Sequence, residues 1–236
     1  MGRGTVIAAA FTAASFFVLL YAARSRVPGA ASALAGDVRA HAPSNADAIV
    51  IPLYKATFTK MGQYQLTMQI GGQDYVMMVD SGSADIAVVA QGCDPCFKHR
   101  HLYVPGPTAV PMPCSGFQGV PCTECHEAYN QCGFTVQYGD GSSIKNLAYD
   151  EEISFPGGAA VRTIVGGVYE EAAGFQPTHV DGILGLGYNS LSAMGAPTAI
   201  DDFLRGNGLR DSFSMCLRDH GGELVLGGGE SVAAPP

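Results

Sequence analysis

The sequence predicts a mostly β protein, and three observations support this. The 236 residues include 31 Gly and 14 Pro, a composition that favours turns and short strands over long helices. From residue 49 onward, short apolar or alternating runs follow one another between turn residues. Hydrophobic residues make up 47% and charged residues 14%, so the chain is not disordered and can bury the core of one domain, or of one lobe of a larger protein.

The N-terminal segment is a long uncharged run. Residues 4–23 carry no charge, Arg3 precedes them and Arg24 follows them. A run of this length can span a bilayer, and it can also be the apolar core of a cleaved secretory signal. Residues 1–35 are therefore expected to be a signal peptide or a signal-anchor transmembrane segment. Both alternatives place the rest of the chain in the secretory pathway, as a secreted, vacuolar or lysosomal, or membrane-anchored protein.

A linker and a first hairpin come next. Residues 36–57 begin in an Ala- and Pro-rich stretch and are expected to form a linker or a short pro-segment. Residues 64–72, "YQLTMQIGG", alternate apolar and polar side chains and end in two glycines, and residues 73–80 follow at once. This pattern is typical of a β-hairpin with a two-residue turn. Residues 84–90, "ADIAVVA", continue as a buried strand.

The second half of the chain repeats this pattern. Residues 134–155 read as strand, glycine-containing turn and strand, which predicts another hairpin. Residues 197–209 begin with Pro, carry two Asp in the first turns and have Gly near their end, and these are helix start and stop signals. Further strands are expected in four short apolar runs: 161–170, 181–188, 212–219 and 222–228.

Cysteines indicate an oxidising compartment. Six of the seven lie within one stretch, residues 93–132, and the seventh is Cys216. Such a cluster in a secretory chain favours disulfides, although the two C-x-x-C pairs at 93–96 and 122–125 could also form a zinc site. The pairing cannot be read from the sequence, and the odd Cys216 is expected to have its partner elsewhere. The disulfide candidates are Cys93, Cys96, Cys114, Cys122, Cys125 and Cys132.

The charge distribution argues against nucleic-acid binding. The net charge is −8, and no basic stripe of the kind that contacts phosphates is present in the sequence. An acidic surface is equally compatible with simple solubility and does not identify a partner.

One carboxylate stands out at the end of a predicted buried strand. Residues 78–86 read "MVDSGSADI", so Asp80 directly follows an apolar run. A carboxylate in this position must be solvated, paired or hydrogen-bonded. Ser81 and Ser83 offer hydroxyl groups, and Gly82 allows a sharp turn that brings backbone amides close to the carboxylate. The alternative is an ordinary Asx-turn after a strand.

Two glycine-rich segments complete the pattern. Residues 136–143, "VQYGDGSS", contain a Gly-Asp-Gly hairpin tip, which can be a movable lid or an ordinary surface hairpin. Residues 181–187, "DGILGLG", form an apolar run interrupted by glycine, which allows a close backbone approach or is simply a core strand.

In this order and spacing, the three segments resemble the pepsin-like (A1-type) aspartic proteases. The first is similar to the catalytic D-[ST]-G-S turn of the N-terminal lobe, the second to the flap, and the third to the strand that crosses beneath the catalytic loop. The resemblance covers residues 49–230 and implies the N-terminal lobe of a bilobal β-barrel fold. Residues 58–230 are assigned to this lobe and residues 231–236 to a truncated tail. The Cys-rich insert resembles that of the nepenthesin-like branch.

The resemblance implies roles for individual residues. Asp80 would be one of two catalytic carboxylates, Ser83 would hydrogen-bond to it, and Ser81 would help to tie the two active loops together around the turn at Gly82. Tyr138 would lie on the flap above a peptide or protein substrate. No metal or cofactor is implied. The implied flap and substrate-binding residues are Tyr138, Gly139, Asp140, Gly141 and Ser142.

Two departures from the family pattern matter. The aromatic support that the family places under the flap tyrosine is replaced by Ala87, and the chain has no Trp, so we expect a more mobile flap. A second D-[ST]-G is absent from the sequence, so a truncated product lacking most of the C-terminal lobe is expected. The alternatives are a catalytically silent peptide-binding lobe and, less favoured, a homodimer with Asp80 from each chain.

Overall fold

The structure is a computed structural model that describes residues 48–56, 62–97, 101–172 and 180–228. Strands dominate these residues, which confirms the mostly β prediction. The strands are β1 (Ile49–Lys55), β2 (Tyr64–Ile70), β3 (Gln73–Asp80), β4 (Ile86–Val89), β5 (Val110–Pro111), β6 (Glu124–His126), β7 (Gln131–Gln137), β8 (Ser143–Ser154), β9 (Val161–Glu171), β10 (Gly182–Gly185), β11 (Phe213–Arg218) and β12 (Gly221–Leu226). The helix α1 spans Ala199–Gly206.

The strands form one extended sheet that closes on itself in the middle. Its order is β11-β12-β1-β2-β3-β10-β4-β9-β8-β7-β6, and β5 pairs with β8 at the side. The end of β2 also pairs with the end of β8, through Gln69 with Ser154 and Ile70 with Ile153. This second contact joins β2, β3, β10, β4, β9 and β8 into a barrel-like ring.

Both predicted hairpins are confirmed. Strands β2 and β3 pair in antiparallel register across Gly71 and Gly72, whose φ angles are +58° and +77°. Positive φ at both turn positions is the geometry that glycine accepts without strain, so the two-glycine turn is explained. Strands β7 and β8 form the second hairpin, and Gln137 faces Ser143 at its tip.

The predicted helix forms over a shorter range than residues 197–209. Thr198 is the N-cap: its hydroxyl accepts a hydrogen bond from the Asp201 amide, and the Asp201 carboxylate accepts one from the Thr198 amide. This reciprocal capping box fixes the start of α1. The buried face of the helix packs towards the sheet, where the rings of Phe203 and Phe155 meet edge to face at 4.7 Å.

Strand β1 lies within residues 36–57, the range that the sequence assigned to a linker or pro-segment. It pairs with β12 over five residue pairs, from Ile49 with Leu226 to Leu53 with Gly222. Ile51 and Leu53 are fully buried on its inner face. Residues 49–55 are therefore an integral part of the sheet in this structure.

Residues 4–23, the predicted signal or anchor, lie outside the described residues. Among the residues that are described, no helix is long and apolar enough to cross a membrane.

The six clustered cysteines form three disulfides. The pairs are Cys93–Cys96, Cys114–Cys125 and Cys122–Cys132. The alternative zinc site would need the thiolates of cysteines 93, 96, 122 and 125, and all four are engaged in these disulfides. Cys216 is a free thiol on β11 and is partly buried.

Candidate active site

Asp80 is the last residue of β3, and its carboxylate is held by the turn that follows. Its Oδ1 atom accepts a hydrogen bond from the Gly82 amide at 2.9 Å, and its Oδ2 atom accepts one from the Ser83 hydroxyl at 2.6 Å. Short bonds to an ionised acceptor are stronger than neutral ones and fix the orientation of the carboxylate. The structure therefore brings Asp80, Gly82 and Ser83 together in one turn. Ser81 is exposed beside them.

Strand β10 supports the Asp80 loop, residues 80–85, from below. It runs parallel to β3, with Gly185 opposite Asp80, and antiparallel to β4. The Leu186 amide donates to the Asp80 carbonyl oxygen at 2.7 Å, and the Gly187 amide donates to the Ser83 carbonyl oxygen at 2.7 Å. The backbone of the Asp80 loop is thus fixed at both ends by one crossing segment.

Glycine is required in the crossing segment because the backbones are so close. A Cβ atom on Gly185 would lie 2.5 Å from the carbonyl carbon of Ala84, and one on Gly187 would lie 2.7 Å from the Ser83 carbonyl oxygen. Gly182 is equally constrained, since its Cβ would lie 2.2 Å from the Ala87 carbonyl oxygen. These contacts are closer than any side chain tolerates, which explains the "DGILGLG" pattern.

Asp181 sets the register of the crossing strand. Its carboxylate, which is almost fully buried, accepts hydrogen bonds from the Val76 amide at 2.8 Å and the His101 amide at 3.2 Å. Its own amide donates to the Val76 carbonyl oxygen, and its carbonyl oxygen accepts from the Val89 amide. Asp181 therefore joins β3 and β4 to the start of β10, and a buried carboxylate with these partners is fully accommodated.

The flap, residues 137–143, is a tight turn between β7 and β8. The Tyr138 amide donates to the Ser142 carbonyl oxygen at 2.9 Å, and the Gly141 amide donates to the Tyr138 carbonyl oxygen at 3.0 Å. The Ser142 hydroxyl and amide both donate to one oxygen of Asp140, at 2.7 and 2.9 Å. These two bonds, led by that from the hydroxyl, lower the pKa of the Asp140 carboxyl. Gly139 is exposed and no atom crowds it.

Tyr138 on the flap is partly buried. Its ring packs against a buried cluster that includes Ala87, Phe134 and Met194. Burial raises the pKa of the Tyr138 hydroxyl well above its usual range, and the negative charges of Asp80, Asp85 and Asp140 raise it further. Tyr138 is therefore a neutral hydroxyl group within electrostatic reach of the Asp80 carboxylate.

Asp85 was missed as a site residue by the sequence reasoning. Its carboxylate accepts hydrogen bonds from the Ser192 hydroxyl at 2.7 Å and the Ala193 amide at 2.9 Å. Burial raises the pKa of the Asp85 carboxyl, and these hydrogen bonds counteract part of the effect. The available signal was a second acidic residue directly before the apolar run "IAVV", where a carboxylate needs partners.

A cavity of about 250 Å³ opens on the Ser81 side of the Asp80 loop. Its walls include Gly187 and Tyr188 from the segment after β10, Leu204 from α1, and Phe213 from β11. Asp80 and Tyr138 do not line it, so the cavity and the face below the flap are separate surfaces. The candidate active site therefore consists of Asp80, the turn that holds it and the flap residue Tyr138.

Comparisons with known proteins all find aspartic proteases. A family model described as eukaryotic aspartyl protease matches residues 63–233. The chain is 29% identical over 163 residues to an aspartic protease of Phaffia rhodozyma, covering 67% of this chain and 35% of the relative. It is 31% identical over 170 residues to human napsin-A, covering 67% and 36%. It is 29% identical over 141 residues to the aspartic proteinase nepenthesin-2 of Nepenthes gracilis, covering 56% and 31%. The chain spans about a third of the length of these relatives.

Proposed function

Because the chain belongs to the eukaryotic aspartyl protease family, we propose that it provides the first catalytic carboxylate and the flap of an aspartic endopeptidase. The observation that carries this proposal is the position of Asp80: it ends β3 in a turn that fixes both of its oxygen atoms, and its charge acts on the hydroxyl of the flap residue Tyr138. In this proposal residues 58–230 form the N-terminal lobe together with strand β1, which pairs with β2 and β12.

The chemistry follows from the behaviour of paired carboxylates. Two such groups held about 3 Å apart cannot both ionise, so they share one proton. The ionised group acts as a general base on a bound water, and the protonated group polarises the scissile carbonyl of the peptide. Asp80 would be one member of this pair. The other has no D-[ST]-G counterpart in this sequence.

The residues around Asp80 would have supporting roles. Ser83 and Gly82 would keep its carboxylate oriented, and exposed Ser81 would contact the part of the enzyme that carries the second carboxylate. Tyr138 would close over an extended peptide, whose backbone the hairpin can bond in strand fashion. Gly139 and Gly141 would give the flap its freedom, and the bonds between Asp140 and Ser142 would keep its tip folded.

A peptide-cleavage assay tests the proposal. The purified chain is combined with the C-terminal lobe of a pepsin-like protease, which supplies the second carboxylate, and is assayed at acid pH with and without the inhibitor pepstatin, beside the variants Asp80→Asn and Asp74→Asn. Asp74 is an exposed carboxylate on the same strand, so it is a matched control. We expect Asp80→Asn to lower kcat/KM by about a thousandfold or more, because general acid–base catalysis is lost. Measurable activity that is equal in Asp80→Asn and the unsubstituted chain would reject the catalytic role.

Two other functions are distinguished by the same assay. The first is a peptide-binding lobe without catalysis, which the single D-[ST]-G of the sequence favours. Such a lobe would bind pepstatin but would cleave no substrate under any condition. A homodimer, with Asp80 from each chain, requires a two-fold symmetric interface. Its signature would be a rate that rises with the square of the protein concentration and disappears in Asp80→Asn.

We also propose that the chain enters the secretory pathway, with residues 4–23 as its signal or membrane anchor. The three disulfides support this, because disulfides persist in oxidising compartments. Expression in eukaryotic cells followed by N-terminal sequencing tests it. A mature N-terminus near residue 35 indicates cleavage, an intact membrane-bound chain indicates an anchor, and an intact chain in the cytosol contradicts the proposal.

A further inference from the structure

The surface that supports the flap tyrosine is unusual in composition. Ala87 of β4 is buried where the family resemblance predicted a large aromatic residue. It belongs to a cluster that also includes Val89, Met194 and Ala196, and Tyr138 packs against this cluster. The cluster below Tyr138 therefore combines side chains of the sheet with Met194 and Ala196, which come from a separate chain segment.

The second of these segments, residues 192–196, lies outside helices and strands. It follows a single 3₁₀ turn, Asn189–Leu191, and precedes the N-cap Thr198 of α1. Segments without a hydrogen-bond ladder need other contacts to fix their position. Here the link to the sheet comes from Asp85, whose two carboxylate oxygens bind the Ser192 hydroxyl at 2.7 Å and the Ala193 amide at 2.9 Å.

The chemistry of the link suits a carboxylate better than an amide. Asp85 presents two acceptor oxygens to the Ser192 hydroxyl and to the Ala193 amide, and the Met194 amide adds to their effect. Hydrogen bonds to a charged acceptor are stronger than neutral ones. An Asn side chain in the same position could accept only a neutral hydrogen bond from the Ala193 amide, and its N–H group would need the Ser192 hydroxyl to turn round and act as the acceptor. The charge of Asp85 also contributes to the raised pKa of the Tyr138 hydroxyl.

We propose that Asp85 is a positioning residue for the flap: its carboxylate holds residues 192–196 against β4 and so shapes the surface on which Tyr138 rests. This inference rests on the proposed function, in which Tyr138 closes over the substrate.

Two measurements on the free, full-length chain test the proposal. Hydrogen exchange measures the protection of the Ala193 amide. Carbon–proton NMR of protein labelled at tyrosine measures the chemical shifts of the Tyr138 ring, and the variant Tyr138→Phe identifies which signals belong to it. The variants are Asp85→Ala, Asp85→Asn and Ser192→Ala, with Asp74→Asn as the exposed control. We expect Asp85→Ala to lower Ala193 protection about tenfold and to shift the Tyr138 signals towards those of free tyrosine. Asp85→Asn should lie in between, and Asp74→Asn should match the unsubstituted protein.

The outcomes distinguish the anchoring of residues 192–196 by Asp85 from the effect of that anchor on Tyr138. Unchanged Ala193 protection in the Asp85 variants would overturn the anchor, and lost protection with unchanged Tyr138 signals would overturn its role for the flap. If Asp85→Ala fails to fold, Asp85→Asn and Ser192→Ala decide the same questions. None of these measurements requires peptide cleavage, so they remain informative if the Asp80→Asn assay rejects the proposed function.

Discussion

The Asp80 loop and the flap face each other across the candidate active site, but they are held by different means. A distant segment fixes the Asp80 loop, because β10 crosses beneath it and the two residues that follow β10, Leu186 and Gly187, donate backbone hydrogen bonds to Asp80 and Ser83. The hydrogen bonds of the flap tip described above are local, within residues 138–142. The comparison indicates a rigid part that carries the carboxylate and a lid that can move without disturbing it.

Substituting a glycine in each of the two regions should give the largest difference, which is a difference in the free energy of unfolding. In Gly185→Ala the new Cβ would lie 2.5 Å from the backbone of Ala84, where no flexible side chain can yield. We expect a loss of more than about 3 kcal/mol in the free energy of unfolding, measured by urea denaturation. Gly139→Ala on the flap is the control, since nothing lies within 4 Å of its added Cβ. It should change stability by less than about 1 kcal/mol. Similar losses in the two variants would contradict the comparison.

The next largest difference between the flap and the Asp80 loop should be in the rates of amide hydrogen exchange. We expect the amides of residues 137–143 to exchange about a hundredfold faster, or more, than those of Leu186 and Gly187, because local turns open without unfolding the sheet. Residue-resolved exchange of the free chain measures this. Equal protection of the flap and the crossing strand would show that the flap is as rigid as the Asp80 loop, and would also contradict the mobility predicted from Ala87.

The sequence predicted the parts of this arrangement that depend on local patterns. Gly71 and Gly72 set the first hairpin, because the turn needs two positive φ angles. The glycines of residues 181–187 indicated a close backbone approach, and the structure places Asp80 and Ser83 directly above them. The helix was predicted from Pro197, the first-turn acids and the final glycine, although its Thr198 cap was overlooked.

Features that depend on distant contacts could not be predicted. Strand β1 contains Pro52, and its main partner β12 lies near the other end of the described residues. The choice among disulfide pairings depends on how residues 93–132 fold onto the sheet. The anchor of Asp85 depends on Ser192 and Ala193, more than 100 residues away, and no local pattern identifies such a partner.

The two regions should also respond to pH with opposite signs. Burial raises the pKa of Asp85 in the folded protein, so the folded state holds this proton more tightly than the unfolded chain does. Its contribution to stability is fully present below the unfolded value, about 3.9, and is lost as the pH rises through the raised folded value. In Asp85→Asn, the fall in the free energy of unfolding that Asp85 causes as the pH rises should be absent. Urea unfolding between about pH 3 and 7 measures this free energy. An unchanged slope, compared with Asp74→Asn as control, would contradict the expected titration.

Asp140 on the flap should give the smallest effect and the opposite slope. The Ser142 hydroxyl and amide lower the pKa of the Asp140 carboxyl, so its contribution to stability is present above the unfolded value of about 3.9 and is lost as the pH falls through the lowered folded value. The effect should be smaller than that of Asp85 because water and salt screen an exposed carboxylate. Asp140→Asn should remove this loss in acid, and Ser142→Ala should reduce it by removing the hydroxyl donor. The measurement is the urea midpoint between about pH 2 and 5. If both variants lose stability in acid as steeply as the unsubstituted protein, the bonds between Asp140 and Ser142 do not hold the flap tip in solution.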